Sequence, residues 1–143
     1  MRKVFASLIL VAIGSVVSAQ TLVKDIKSTP TNVGSSPANI VQLGTAHYFA
    51  ATIADTVGRE LYKSDGTAAG TTLVLDIRKG ELGSAPQVLT VMGNAIYFSA
   101  NAAGGRELWK SDGTAAGTKI VKNIRPGGAW STPEQMTVSG TTL

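Results

Sequence analysis

The stretch Lys63-Ser64-Asp65-Gly66-Thr67-Ala68-Ala69-Gly70-Thr71 occurs again, letter for letter, as Lys110-Ser111-Asp112-Gly113-Thr114-Ala115-Ala116-Gly117-Thr118. The offset is 47 residues, and the match widens on both sides: 58–80 and 105–127 agree at 17 of 23 positions. A long repeat at a fixed period of this size means one supersecondary unit built more than once and stacked on itself. Such units make scaffolds and binding surfaces, so the repeat bears on architecture before it bears on activity.

Outward from this core the echoes continue. Asp76-Ile77 recurs as Asn123-Ile124, and earlier as Asp25-Ile26. Gly83-Ser84-Ala85-Pro86 is matched by Gly34-Ser35-Ser36-Pro37, and in Ala129-Trp130-Ser131-Thr132-Pro133 the residues Ser131 and Pro133 hold the phase. Tyr48-Phe49 returns as Tyr97-Phe98. The first unit carries two extra residues before Pro37 and two more between Phe49 and Arg59, which belong in loops. At Gly140-Thr141-Thr142-Leu143 the pattern stops where another Tyr-Phe strand is due. The expectation is two units and part of a third, meeting near 80–86 and 127–133, with further repeats after Leu143 or self-association completing them.

Sixteen glycines, many threonines and a 43% apolar share suit a turn-rich all-β chain. The formal charge is +4, but Arg2 and Lys3 stand in a targeting segment. Without them 11 basic residues face 9 acidic ones, too even a balance to argue for nucleic acid or an anionic membrane. Residues 1–19 read as a secretory signal peptide. Arg2-Lys3 is the charged start, 4–17 is an apolar run too short to span a bilayer, and Val17-Ser18-Ala19 supplies the small residues before a cut between Ala19 and Gln20. The mature chain, 20–143, is then exported to periplasm, cell surface or medium, with no membrane span. It contains no cysteine, hence no disulfide, no thiolate metal site and no acceptor for lipid at the cleavage point.

Within one unit four short strands are legible. Gln87–Met92 is apolar and β-branched, with Gly93-Asn94 as a tight turn. The others are 95–100 with Ile96-Tyr97-Phe98, 106–112 with Leu108-Trp109, and 119–124. Short connections make neighbours pair antiparallel as a meander. The longer Pro- and Gly-bearing 125–133 leads from the outer strand of one sheet to the inner strand of the next. A four-stranded meander every 47 residues has the length of a propeller blade. Apolar runs without strict alternation fit strands covered on both faces. The predicted fold is therefore all-β: an incomplete, propeller-like array of about two blades plus part of a third, with too little chain to close a ring of about four or more blades. A β-solenoid or a sandwich is the alternative.

At Glu60-Leu61-Tyr62-Lys63-Ser64-Asp65-Gly66-Thr67 and Glu107-Leu108-Trp109-Lys110-Ser111-Asp112-Gly113-Thr114 the chain resembles the ELWxxDGT repeat family. The second copy matches the signature at every fixed position, and the first has Tyr62 for Trp. The resemblance covers nearly all of 21–143. It implies a bacterial exported or surface protein of many repeats, with no common activity established. Many members also carry a C-terminal sorting segment, and none is visible here.

The repeated motif residues invite chemical readings. Asp65-Gly66 and Asp112-Gly113 resemble calcium-loop turns, but each offers one carboxylate where a calcium loop needs several oxygen ligands. A side-chain-capped turn is expected instead, with Asp accepting backbone N–H groups, Gly at positive φ, and Thr67 and Thr114 nearby. Glu60 and Glu107, each after an Arg, sit at equivalent positions of successive units. A glycosidase needs two carboxylates facing each other in unlike environments. Repeated ion pairs or hydrogen bonds keying one blade to the next are the expectation. His47 is the only histidine and has no triad or metal-site context. Tyr48, Tyr62, Tyr97 and Trp109 read as packing aromatics, with stacking on sugars as the alternative. Trp130 is different: it lies in a Gly-Gly-Ala-Trp-Ser loop with no aromatic counterpart at 83–86, and so is the candidate partner contact, with a plug under the next blade as the equal alternative. Nucleotide fingerprints and zinc spacings do not occur, and no cofactor is expected.

The function expected is that of a non-catalytic exported scaffold binding a surface glycan or protein. The rivals are part of a propeller-type polysaccharide hydrolase, for which the non-repeated acids Glu81 and Glu134 would be the starting point, and a purely structural spacer.

Overall fold

The computed structural model describes residues 22–26, 34–52 and 57–143. The expected signal peptide, 1–19, and the expected cut after Ala19 lie outside the described residues. Among those described there is no helix, and eight strands form two sheets. The first holds β1 (Ala38–Leu43), β2 (Ala46–Thr52), β3 (Arg59–Ser64) and β4 (Thr72–Leu75). The second holds β5 (Gln87–Met92), β6 (Ala95–Ala102), β7 (Gly105–Ser111) and β8 (Lys119–Lys122). In each sheet the strands follow chain order and pair antiparallel, which is the expected meander.

The registers repeat as closely as the letters. Phe49 pairs with Tyr62, and Phe98 with Trp109. Tyr62 faces Leu73 as Trp109 faces Ile120. Each first strand carries an irregularity at the same place, between Ala38 and Val41 and between Gln87 and Thr90. At its centre stand Asn39 and Val88, with φ of 58° and 53°.

One face of the first sheet packs on one face of the second. Tyr48, Leu61 and Val74 meet Leu89, Ile96, Phe98 and Ala100 in one buried cluster, with Ile77 and Trp109 half-buried against it. The contact buries an apolar face of each sheet. The opposite face of the first sheet holds a second cluster, Phe49, Ala51 and Tyr62, against which Ile26 and Leu73 pack. The Phe49 and Tyr62 rings stack at 6.1 Å between centroids. Ile26 thus stands to the first sheet as Ile77 stands to the second.

The second and third strands of the second sheet shift slightly from the expected 95–100 and 106–112, to Ala95–Ala102 and Gly105–Ser111. The fourth strand ends at Lys122, before Ile124, because the N–H groups of Ile124 and Arg125 bond a carboxylate and leave the ladder. The segment 135–139 forms no strand, only a bridge between Ser139 and Thr142. Even so Thr132 and Gln135 take φ of 41° and 52°, matching Ala85 and Val88 and, before them, Ser36 and Asn39. The third unit begins on the same backbone path as the other two.

Candidate functional site

The sheets have two ends. At one lie the β1–β2 and β5–β6 hairpins and the Asp-Gly-Thr turns. At the other lie the linkers between units and Trp130. Each end concentrates one set of motif residues.

At the linker end the Arg-Glu pairs are fully engaged. Arg59 opens β3 and donates from its two Nη atoms to Ser36 O (2.8 Å) and Ala50 O (2.9 Å). Arg106 does the same one unit on, bonding Ala85 O (3.0 Å), Ser99 O (3.1 Å) and Ser99 Oγ (2.9 Å). Each arginine therefore holds the linker that enters its own sheet. The adjacent glutamate holds the linker that leaves. Glu60, fully buried, accepts from Ser84 N (2.7 Å), Arg78 N (3.2 Å), Ile77 N (3.3 Å) and the Ser84 hydroxyl. Glu107 accepts from Ser131 Oγ (2.6 Å), Ile124 N (3.0 Å) and Arg125 N (3.4 Å). The backbone adds a parallel bridge between Arg59 and Gly83, and a bond from Ser131 N to Arg106 O.

The two glutamates differ in their proton affinity. Burial raises Glu60 above its ordinary value, outweighing its four donors. Burial pushes Glu107 up too, but the bonds from Ser131, Ile124 and Arg125 win and hold it below. Both are structural staples by geometry, since their oxygens are committed to chain that must turn at that point.

At the other end the nonapeptide folds identically twice. Asp65 Oδ1 accepts from Thr67 N (2.9 Å) and Thr67 Oγ1 (2.7 Å), and Asp112 Oδ1 from Thr114 N (2.9 Å) and Thr114 Oγ1 (2.7 Å). These side-chain and then backbone bonds hold both carboxyls below the usual range. Thr67 Oγ1 and Thr114 Oγ1 also accept from Gly70 N and Gly117 N. Ser64 bonds Thr71, and Ser111 bonds Thr118, across the base of each turn (2.7 Å). Gly66 and Gly113 both take φ of 89°. This is the capped turn the sequence suggests. Among the described residues no three His, Cys, Asp or Glu side chains gather where one metal ion could be held.

The turns differ in what they touch. Gly66 has open space above its Cα, whereas a Cβ on Gly113 would run into the Tyr48 hydroxyl of the first sheet. Lys63 Nζ also donates to Gly113 O (3.2 Å). Beside this contact is an open cleft of about 380 Å³, lined by residues 43–46, Tyr48, Asn94 and Asp112. Burial, and then the Asp112 charge, raise the Tyr48 phenol. The cleft offers a carboxylate, an amide and an aromatic edge, groups suited to a polyol or a peptide. Sequence reasoning missed this contact. Its one signal was the shared phase of Tyr48 and the Asp-Gly-Thr turn.

The remaining candidates scatter. Tyr62 is buried and its phenol is pushed up to about 12, by burial first and then by Glu60 and Asp76. Trp109 is half-buried against the inter-sheet cluster. Leu61 is buried in that cluster, and its counterpart Leu108 is half-buried on the far side of the second sheet. His47 is exposed on β2. Glu81 and Glu134 are exposed in successive linkers. Trp130 is 58% exposed, with its ring beside Gly105.

Comparison with protein-family models, with characterised proteins and with solved structures gave no match. Among the described residues no helix is long and apolar enough to cross a membrane.

Proposed function

We propose that this chain is a non-catalytic, exported repeat scaffold of the ELWxxDGT kind, whose loops bind a cell-surface or extracellular glycan or protein. The observation that carries the reading is the fate of Arg59-Glu60 and Arg106-Glu107. They are the repeated Arg-Glu pairs, and their Nη atoms and carboxylate oxygens fix one linker into each sheet and the next linker out of it. A scaffold needs these groups as staples, whereas a hydrolase would need one acid free to give up its proton. What remains for contact is loop chemistry, with Trp130 as a large exposed anchor in a linker. The apolar run behind Arg2-Lys3, ending in Val17-Ser18-Ala19, supports delivery outside the cytoplasm.

The test uses the exported chain, whose mass should begin at Gln20. On arrays of surface glycans and on envelope fractions, Trp130→Ala should weaken retention about tenfold, the loss of one anchor contact. Glu81→Gln and Glu134→Gln should leave it unchanged. Release of sugars from a polysaccharide panel, abolished by either Gln variant, would replace this reading with the hydrolase.

A further inference from the structure

The far face of the second sheet repeats a face that is buried elsewhere in the same molecule. Tyr48, Leu61 and Val74 on the first sheet are 6%, 0% and 7% exposed because the second sheet covers them. Their counterparts are Tyr97, Leu108 and Val121. Tyr97 and Leu108 are half-buried, and Val121 is 44% exposed. Ile77 packs into the inter-sheet cluster, while its counterpart Ile124 is 50% exposed. Polar groups follow the same rule. Tyr48 and Lys63 engage the turn at Gly113. Tyr97 and Lys110 stand at the same positions one unit on. The complementary element also exists unused: the turn at Gly66 has the backbone of the Gly113 turn, with nothing within 4 Å of the place where a Cβ would be.

We infer that the far face of the second sheet, Tyr97, Leu108, Lys110, Val121 and Ile124, docks the first sheet of a second copy of this chain, with the Gly66 turn seated on Tyr97 and Lys110. The contact continues the interface already present between the two sheets. It uses the same residue types on the donor side and the same turn on the acceptor side. It is heterologous, each copy presenting a different surface to each neighbour, so assembly runs on into a ring if the rotation closes and into a filament if not. Two elements must yield: the chain's own 132–139, which starts on the backbone path of an inner strand and so takes the place that β1 of the second copy would claim, and segment 22–26. Ile26 occupies on the first sheet the place that Ile77 occupies on the second, and Ile124 of the docking copy claims that same place. Segment 22–26, tied by Lys24 Nζ to Thr71 O (2.8 Å), lifts away as the second copy seats. The inference is independent of which ligand the loops bind.

Sedimentation velocity of the exported chain over a wide concentration range tests this. Wild type should gain mass with concentration. Val121→Glu places a charge in the docking face at a position exposed in the single copy, and should raise the half-association concentration about tenfold or more. Gly66→Ala puts a methyl where the Tyr97 hydroxyl would sit, and should do the same. The two variants each keep one intact surface, so their mixture should form a dimer of one copy of each and stop there. Ile26→Ser, which loosens the competing segment, should lower the half-association concentration. Unchanged circular dichroism and melting of Val121→Glu exclude misfolding as the cause. A wild-type chain that stays monomeric, an association indifferent to Val121→Glu, or a mixture that fails to pair would each overturn the inference.

Discussion

Val88 is a β-branched residue held at φ 53°, in the left-handed region where its Cβ crowds the backbone. The matching residue of the first unit, Asn39 at φ 58°, is a type that tolerates this region, and its Nδ2 reaches Pro86 O at 3.5 Å. The fold needs the conformation because it makes the irregularity by which each inner strand leaves its linker. Val88→Asn should therefore raise stability by about 1 kcal/mol and Asn39→Val lower it by at least as much, read from urea midpoints at unchanged slope. The paired glycines give a second contrast. Gly66→Ala meets open space and costs only the strain of a positive φ, about 1–2 kcal/mol. Gly113→Ala carries the same strain and also drives a methyl into the Tyr48 hydroxyl, adding about 1–3 kcal/mol of overpacking. Equal costs in the two melts would mean that the Tyr48 contact is slack. Neither effect could be read from the letters, since the two turns are identical in sequence and differ only in what lies above them.

At the scale of elements the sequence was most legible where repetition and apolar runs coincide. Residues 87–92 read as a strand and are one, and each sheet pairs in the expected order. The miss at 123–124 is instructive. The apolar Ile124 looked like strand, but its N–H is claimed by Glu107, so the ladder ends where the staple begins. Periodicity reports side-chain faces and is blind to a distant carboxylate competing for backbone donors. The same staples set the response to pH. Glu107 lies below its ordinary value of 4.5 when folded, so its contribution is complete above that value and fades as the pH falls through the depressed one. Asp65 and Asp112 behave alike. Glu60 lies above 4.5, so the folded chain binds its proton more tightly, and stability falls as the pH rises through that raised value. In melting curves against pH, Glu107→Gln should flatten the acid limb below 4.5, whereas Glu60→Gln should remove a decline above it. A common effect of both substitutions on the acid limb would show that the two staples titrate alike, contrary to the burial argument.

For the molecule as a whole, the inter-sheet cluster decides how it comes apart. Phe98 belongs to the second sheet and is fully buried, yet Tyr48, Leu61 and Val74 of the first sheet share its cluster. Phe49, its counterpart, lies on the face of the first sheet away from that cluster and packs with Ala51, Tyr62, Leu73 and Ile26, all from the first sheet and the segment before it. Equivalent phenylalanines at equivalent registers thus hold different things together. One joins the two sheets, and the other covers a single sheet. Phe98→Ala should cost about 3–5 kcal/mol, the range for emptying a buried aromatic site. Because the cavity opens between the sheets, hydrogen exchange should quicken in β2–β3 and β6–β7 together. Phe49→Ala opens its cavity on the far side, so exchange should quicken in β2–β3 with β6–β7 kept protected, provided the measurement reads sub-global opening under native conditions. In an array where each unit gains stability from its neighbour, the interface is the term that couples them. A Phe98→Ala chain whose first sheet kept full protection would show that the sheets are stable singly and that the cluster between them adds little.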